Sequence, residues 1–191
     1  MSQQQGLPWR YTTSTVLGNN FEMTVVTPLE SMAELDKPSG LGGMDVNLDS
    51  SLDISNSTIL SRRRFVVAVR PDMSMESLPE SGTNAVYRFQ VKSGQSYRFT
   101  MFWTERVIPA LIRSGIQGTQ VYQTIAGGKE GEFISITPIE NFAYLDGGGP
   151  FRGLAPLDAI TINTELGLLL DEMDISFTRI DQELSYGLAG L

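Results

Sequence analysis

Residues 136–146 read ITPIENFAYLD, and residues 26–36 read VTPLESMAELD, nearly the same phrase 110 positions earlier. Such a repeat constrains the fold strongly, because two similar segments must form two similar units. At this constant offset Gly18, Glu22, Thr27 and Pro28 recur as Gly128, Glu132, Thr137 and Pro138. Glu30, Ala33, Leu35 and Asp36 recur as Glu140, Ala143, Leu145 and Asp146, which makes eight identities in the 19 positions from 18 to 36. One inserted residue further on, Val69–Met75 falls over Ile180–Tyr186. The pattern implies a duplicated unit.

The phrase itself reads as a helix start. Thr137 suits an N-cap, Pro138 the first helical position and Glu140 the reciprocal partner of a capping box. Thr27, Pro28 and Glu30 repeat the device. Behind each cap, Ile139, Phe142 and Ala143 (and Leu29, Met32 and Ala33) fall at i, i+3 and i+4, one apolar face. Capping accounts for both copies without a substrate, so Glu140 is expected to be structural and not catalytic.

The second copy predicts a complete set of elements. Ala85–Val91 alternates apolar and polar residues, a half-buried strand. Residues 95–114 follow as an amphipathic helix with Tyr97, Met101, Ile108 and Leu111 on its apolar face, bent at Pro109 and stopped by Gly115. Thr119–Ile125 and Glu132–Thr137 flank a Gly-rich turn as a hairpin. After the capped turn comes a second helix with Ile162, Leu166, Leu169, Leu170 and Met173 in helical phase, and Asp174–Ile180 closes the unit as a strand. This β-α-β-β-α-β order is ferredoxin-like.

The first copy is shorter. Trp9 aligns with Thr119, and nothing before it corresponds to residues 85–118, so its first strand and helix are missing. It offers strands over 9–17 and 21–27, a helix over 48–61, and a last strand in RFVVAV. The expected class is α+β: two tandem ferredoxin-like units forming an α+β barrel. Residues 1–75 would be the partial first unit, 76–84 a linker and 85–191 the complete second unit. The missing pieces predict either a fragment of a longer two-unit protein or self-association, with another chain covering the surface beside Trp9–Leu17 and Arg64–Val69.

VIPALIRSGIQGTQVYQT followed by GEFISITPIENFAYLD resembles the dimeric α+β barrel superfamily, which includes antibiotic-biosynthesis-monooxygenase-like domains. The likeness extends over about Trp9 to Tyr186 and is similar to bacterial proteins that carry two such units in tandem. It implies a cavity between sheet and helices in which some members oxidise polycyclic substrates without metal or flavin. No set of catalytic residues here matches the family motif by motif.

Composition narrows the chemistry. The chain has no histidine and no cysteine, which removes the commonest general base and every thiolate ligand. A net charge of −8 argues against nucleic acid or an anionic membrane as partner, and no apolar run is long enough to span a bilayer. A soluble protein with no cofactor is expected. Asp45–Asp53 places oxygen side chains in a calcium-loop pattern but lacks its glycine and its bidentate glutamate, so the acids read as helix-start residues. The glycines of Leu145–Phe151 lack the lysine of a phosphate loop. The arginines of Ser61–Phe65 complement a helix end.

The remaining candidates are aromatic and amide groups: Tyr87, Phe102, Trp103, Tyr122 and Asn141 as pocket residues for a small apolar molecule. Two readings follow. One is a binding or structural module, with homodimerisation as a partner option. The other is a cofactor-independent monooxygenase or isomerase acting on an aromatic or activated carbonyl compound. The absence of a nucleophile–base pair favours the first.

Overall fold

The computed structural model describes residues 11–18, 22–29, 31–36, 63–75, 82–146, 149–183 and 185. The chain begins with β1 (Tyr11–Leu17), β2 (Met23–Val26) and a 3-10 turn at Met32–Asp36. β3 (Val66–Val69), a 3-10 turn at Pro71–Met73 and β4 (Thr83–Val91) come next. A long helical stretch then runs through α1 (Ser96–Phe102), a π turn (Trp103–Val107) and α2 (Ile108–Arg113). After it lie β5 (Gln120–Ala126), β6 (Glu132–Ile139), the short α3 (Ala143–Asp146) and a 3-10 turn at Gly149–Phe151. The last elements are α4 (Pro156–Leu169) and β7 (Leu170–Ile180). The class is α+β, and the strand pairings with described registers are all antiparallel.

The chain divides into two compact units. Of the described residues, the first unit holds 11–14, 23–29, 31–36, 63, 180–183 and 185. Here β1 pairs with β2 from Tyr11 opposite Val26 to Ser14 opposite Met23. Thr12 and Thr13 are buried. The Asp181 N–H donates to the Thr12 carbonyl at 2.9 Å, and the Thr12 N–H donates to Ser185 Oγ at 3.0 Å.

The second unit holds 15–18, 22, 64–75, 82–146 and 149–179 of the described residues. Its strands lie in the order β7-β4-β6-β5-β3. β4 lies between β7 and β6, with Tyr87 opposite Ser135 of β6 on one side and Ile175 of β7 on the other. Because side chains alternate along a strand, Ala85, Tyr87, Phe89 and Val91 share one face, and all four are buried. They pack with Phe99, Trp103, Val107 and Leu111 from the long helical stretch and Ile162, Leu166 and Leu169 from α4. The centre of this core is aromatic: Phe99 lies 4.9 Å from Phe133 and Phe89 lies 5.3 Å from Trp103, centroid to centroid.

Three expectations change. The TP phrase does not start a helix: Thr137 and Pro138 lie inside β6, opposite Ala85 and Asn84 of β4. Proline is tolerated there because the pairing of β5 with β6 runs no further than Ile136, so Pro138 has no strand bond to supply on that side. The helical turn begins later, at Ala143, whose N–H donates to Asn141 Oδ1 at 2.9 Å. Thr27–Leu29 are likewise outside helix, and the equivalent turn starts at Met32.

The first long helix turns a different face inward. Tyr97 is 75% exposed, while Phe99, Trp103 and Val107 are buried. The π turn explains the phase difference: the backbone is locally underwound to i→i+5 spacing, so a strict 3.6 period misreads it. Pro109 lacks an N–H and cannot bond back to residue 105, which favours such a local change. Finally, Leu170–Met173 belongs to β7 and not to the preceding helix. Leucines suit either state, and pairing with β4 decides it. The expected helix over 48–61, the acidic run Asp45–Asp53 and the start of the first strand at Trp9 lie outside the described residues.

The β5–β6 turn contains a constrained glycine. Gly127 has φ of +74°, and a β-carbon there would lie 2.5 Å from the Arg64 carbonyl oxygen. Gly127→Ala is therefore expected to destabilise the chain by about 1–3 kcal/mol, measured as a lower midpoint in urea. A change within error would show that this turn relaxes freely.

Candidate functional site

The second unit contains a cavity of about 140 Å3 between its sheet and its helices. The sheet supplies the floor through Tyr87 and Phe89 of β4, Ser135 and Thr137 of β6, and Met173 and Ile175 of β7. Strand register makes this possible: Tyr87 stands between Ser135 and Ile175, so all three point to the same side. Trp103 and Val107 from the π turn and Leu111 from α2 form one wall, and Leu166 and Asn163 from α4 the other. Pro150 and Phe151 complete the lining. The preceding Gly149, at φ +73°, permits the bend that brings them there.

The polar groups are the hydroxyls of Tyr87, Ser135 and Thr137 and the amide of Asn163. Thr119 Oγ1 lies 2.8 Å from Ser135 Oγ and 3.0 Å from Thr137 Oγ1, and it also donates to the Ile136 carbonyl at 3.3 Å. All three side chains are buried. A buried hydroxyl must be partnered, and Thr119 satisfies the two that line the cavity. Thr119→Val is expected to lower unfolding free energy by about 1–3 kcal/mol, since it strands Ser135 and Thr137. Chemical denaturation tests this, and an unchanged midpoint would mean the hydroxyls find other partners.

A second hydroxyl pair joins Tyr87 of the floor to Tyr144. Tyr87 Oη and Tyr144 Oη are 2.8 Å apart, and the Arg152 guanidinium lies 5.8 Å from the Tyr144 ring centroid. Burial raises the pKa of Tyr87, with the Tyr144 hydrogen bond acting in the other direction. Burial also raises Tyr144 strongly, reinforced by the neighbouring Tyr87 and opposed by Arg152. Both phenols therefore stay protonated at neutral pH and can donate hydrogen bonds.

These shifts have a stability consequence. Tyrosines in the unfolded chain ionise near pH 10, whereas folded Tyr87 and Tyr144 keep their protons higher. The stabilisation is whole below pH about 10 and is lost as pH rises beyond it, because the unfolded state then binds fewer protons. Alkaline titration at 295 nm is expected to show late ionisation coincident with unfolding, and the late stage shrinks in Tyr87→Phe. Ionisation of all tyrosines in one step near pH 10 with the fold intact would contradict this.

Of the five residues expected from sequence, Tyr87 and Trp103 line the cavity. The Trp103 indole N–H donates to the Met73 carbonyl at 2.9 Å, which fixes the ring in the wall. Phe102 packs against the outside of the core. Tyr122 alternates to the other face of β5 and donates to Gln120 Oε1 at 2.6 Å. Asn141 is exposed and caps α3. Sequence reasoning missed Ser135, Thr137 and Tyr144. The alternation of Phe133, Ser135 and Thr137 along β6 contains the first two, since a face that starts with a core phenylalanine carries its neighbours inward.

The lining contains no carboxylate, lysine or arginine among the described residues. Among the described residues no group of acidic side chains could hold a metal ion, and no helix is long and apolar enough to cross a membrane.

No protein-family model matches the sequence, and no curated protein matches it. Among solved structures, an anthrone oxidase-like protein is similar with a TM-score of 0.66 at 11% identity, over 96% of this chain and 82% of that one. A "putative monooxygenase" from Lactobacillus acidophilus NCFM aligns with a TM-score of 0.47 at 10% identity, over 95% and 80%. The first likeness shows that this chain shares the fold of the anthrone oxidase-like protein.

Proposed function

We propose that the cavity of the second unit binds one small, neutral, largely apolar ring compound carrying a hydroxyl or carbonyl oxygen. The carrying observation is the described lining: apolar walls around the hydroxyls of Tyr87, Ser135 and Thr137 and the amide of Asn163, with no charged group among the described residues. An anion would meet no cation there and would pay a large desolvation cost. Size narrows the class further. A cavity of about 150 Å3 holds a benzene ring, so about 140 Å3 accommodates a single ring. Expected ligands are phenols, benzyl alcohols and cyclic enones.

The test is a titration of Trp103 emission in a Trp9→Phe background with a phenol, its methyl ether and a benzoate. Saturable quenching by the phenol, weaker binding of the ether and none by the benzoate supports the reading. Equal response to all three, or to none, overturns it. Tyr87→Phe is expected to weaken the phenol about 3- to 10-fold, the worth of one hydrogen bond.

A second reading is oxygenation. The shared fold of the anthrone oxidase-like protein favours it. Such a step would convert an activated ring methylene to a carbonyl: CH2 plus O2 gives C=O plus H2O, with no other reductant. Tyr87 would donate a hydrogen bond to the oxygen of the substrate enolate, which preorganised hydroxyls stabilise. The lining offers no base to form that enolate, so binding is the better-supported activity. Oxygen uptake with a cyclic enone or hydroxylated ring ketone separates the two readings.

We also read the chain as a tandem of related ferredoxin-like units within an α+β barrel, the first lacking a strand and a helix. The ungapped match at offset 110 supports this, as do the hairpins that precede helical turns ending at Asp36 and Asp146.

A further inference from the structure

α4 is apolar on two faces. Ile162, Leu166 and Leu169 enter the core, while Leu157, Ile160 and Leu168 are 73%, 61% and 68% exposed. A surface helix ordinarily presents polar residues outward. Between those leucines lie Thr161 and Thr164, whose hydroxyls donate to the Leu157 and Ile160 carbonyls, each at 2.8 Å. Their hydrogen-bonding capacity is thus turned back into the helix, and they present methyl groups. The outward stripe is effectively Leu157, Thr161, Thr164, Leu168, with spacings of four, three and four, which is the seam of a helix pair.

The stripe also reads the same in both directions. Reversal about the midpoint between Ile162 and Asn163 exchanges Leu157 with Leu168 and Thr161 with Thr164. A two-fold interface brings a surface against its own copy, so that each residue meets the counterpart that reversal assigns to it. The segment Pro156–Leu169 contains Asp158 and Glu165 but no lysine or arginine, which disfavours an anionic membrane as the occupant.

We infer that α4 is a self-association surface on which a second copy of this chain packs its own α4 antiparallel. Leu157 of each copy lies against the Leu168 of the other, and the small threonines at the centre allow close approach. Two stripes alone fall short of the roughly 800 Å2 per partner of a standard interface. Exposed Tyr97 and Met101 on α1, the helix that contacts α4, supply further apolar surface. The expected product is a reversible dimer.

Sedimentation velocity of the 191-residue chain from low micromolar to near millimolar concentration tests this. The wild type is expected to shift from monomer to dimer. Leu157→Glu with Leu168→Glu places like charges at both ends of the seam and is expected to raise the dimer Kd at least about tenfold. Leu157→Lys with Leu168→Glu pairs opposite charges only in the antiparallel arrangement and is expected to restore association relative to the Glu/Glu variant. Circular dichroism and melting confirm that these exposed changes leave the fold intact. A wild type that stays monomeric throughout, a Glu/Glu variant that dimerises like the wild type, or a Lys/Glu variant no better than Glu/Glu overturns the inference.

Discussion

Phe133→Ala is expected to lower the unfolding free energy by about 3–5 kcal/mol, the range for removing a fully buried aromatic ring. Phe133 is 0% exposed. It sits on β6 opposite Phe89 of β4 and Gln123 of β5, so it cannot shift without breaking pairing on both sides. Its ring lies against Phe99, and the Arg70 guanidinium lies 5.8 Å from its centroid. Arg70 is itself held by Asp72 and Gln123 through bonds of 2.6–2.9 Å, so it does not collapse into the space. Neighbours that cannot relax leave a cavity, which adds to the lost burial. Phe133→Leu keeps much of the volume and is expected to cost less than half as much. Guanidinium titration followed by circular dichroism reads both. A loss below about 1 kcal/mol for the alanine variant would mean that this cluster is not the centre of the core.

Leu111→Phe is expected to weaken binding of a single-ring phenol at least about tenfold, a change of about 1.4 kcal/mol in binding free energy. Leu111 is 3% exposed and forms part of the wall between α2 and the sheet. The added ring has only the cavity to enter, because the other side of the residue is packed core. Its volume replaces that of the ligand. Overpacking is expected to cost about 1–3 kcal/mol of stability. Calorimetric titration with the phenol, beside a melting curve, separates occupancy from unfolding. Wild-type affinity in a stable Leu111→Phe protein would place the ligand elsewhere.

Much of the second unit was legible from residue pattern. Ala85–Val91 shows its inward face by alternation alone, and the Gly-rich segment before Glu132 marks the hairpin. What failed was local chemistry overruled by pairing. Thr137 and Pro138 satisfy every local requirement of a helix start, yet pairing with β4 extends β6 through them. Thr137 thereby becomes a cavity hydroxyl. The π turn leaves Phe99 and Trp103 inward and Tyr97 outward, because a residue count along a regular helix cannot register an underwound turn. Tyr122 and Asn141 have the side chains of binding residues. Strand parity takes one to the other face, and capping uses the other. Tyr87 and Trp103 lie on elements whose phase is fixed by core neighbours, and both line the cavity.

The central claim is that this cavity accepts a neutral oxygenated ring. Methyl-selective NMR of Val107, Leu111, Leu166, Met173 and Ile175 reports on it directly, because these methyls belong to walls and floor. Titration with a para-substituted phenol is expected to shift these signals together along one saturable curve, with contacts between ligand ring and methyls, while a benzoate leaves them unmoved. Saturation confined to methyls outside the cavity, or no saturable shift at any phenol concentration short of denaturation, would contradict it.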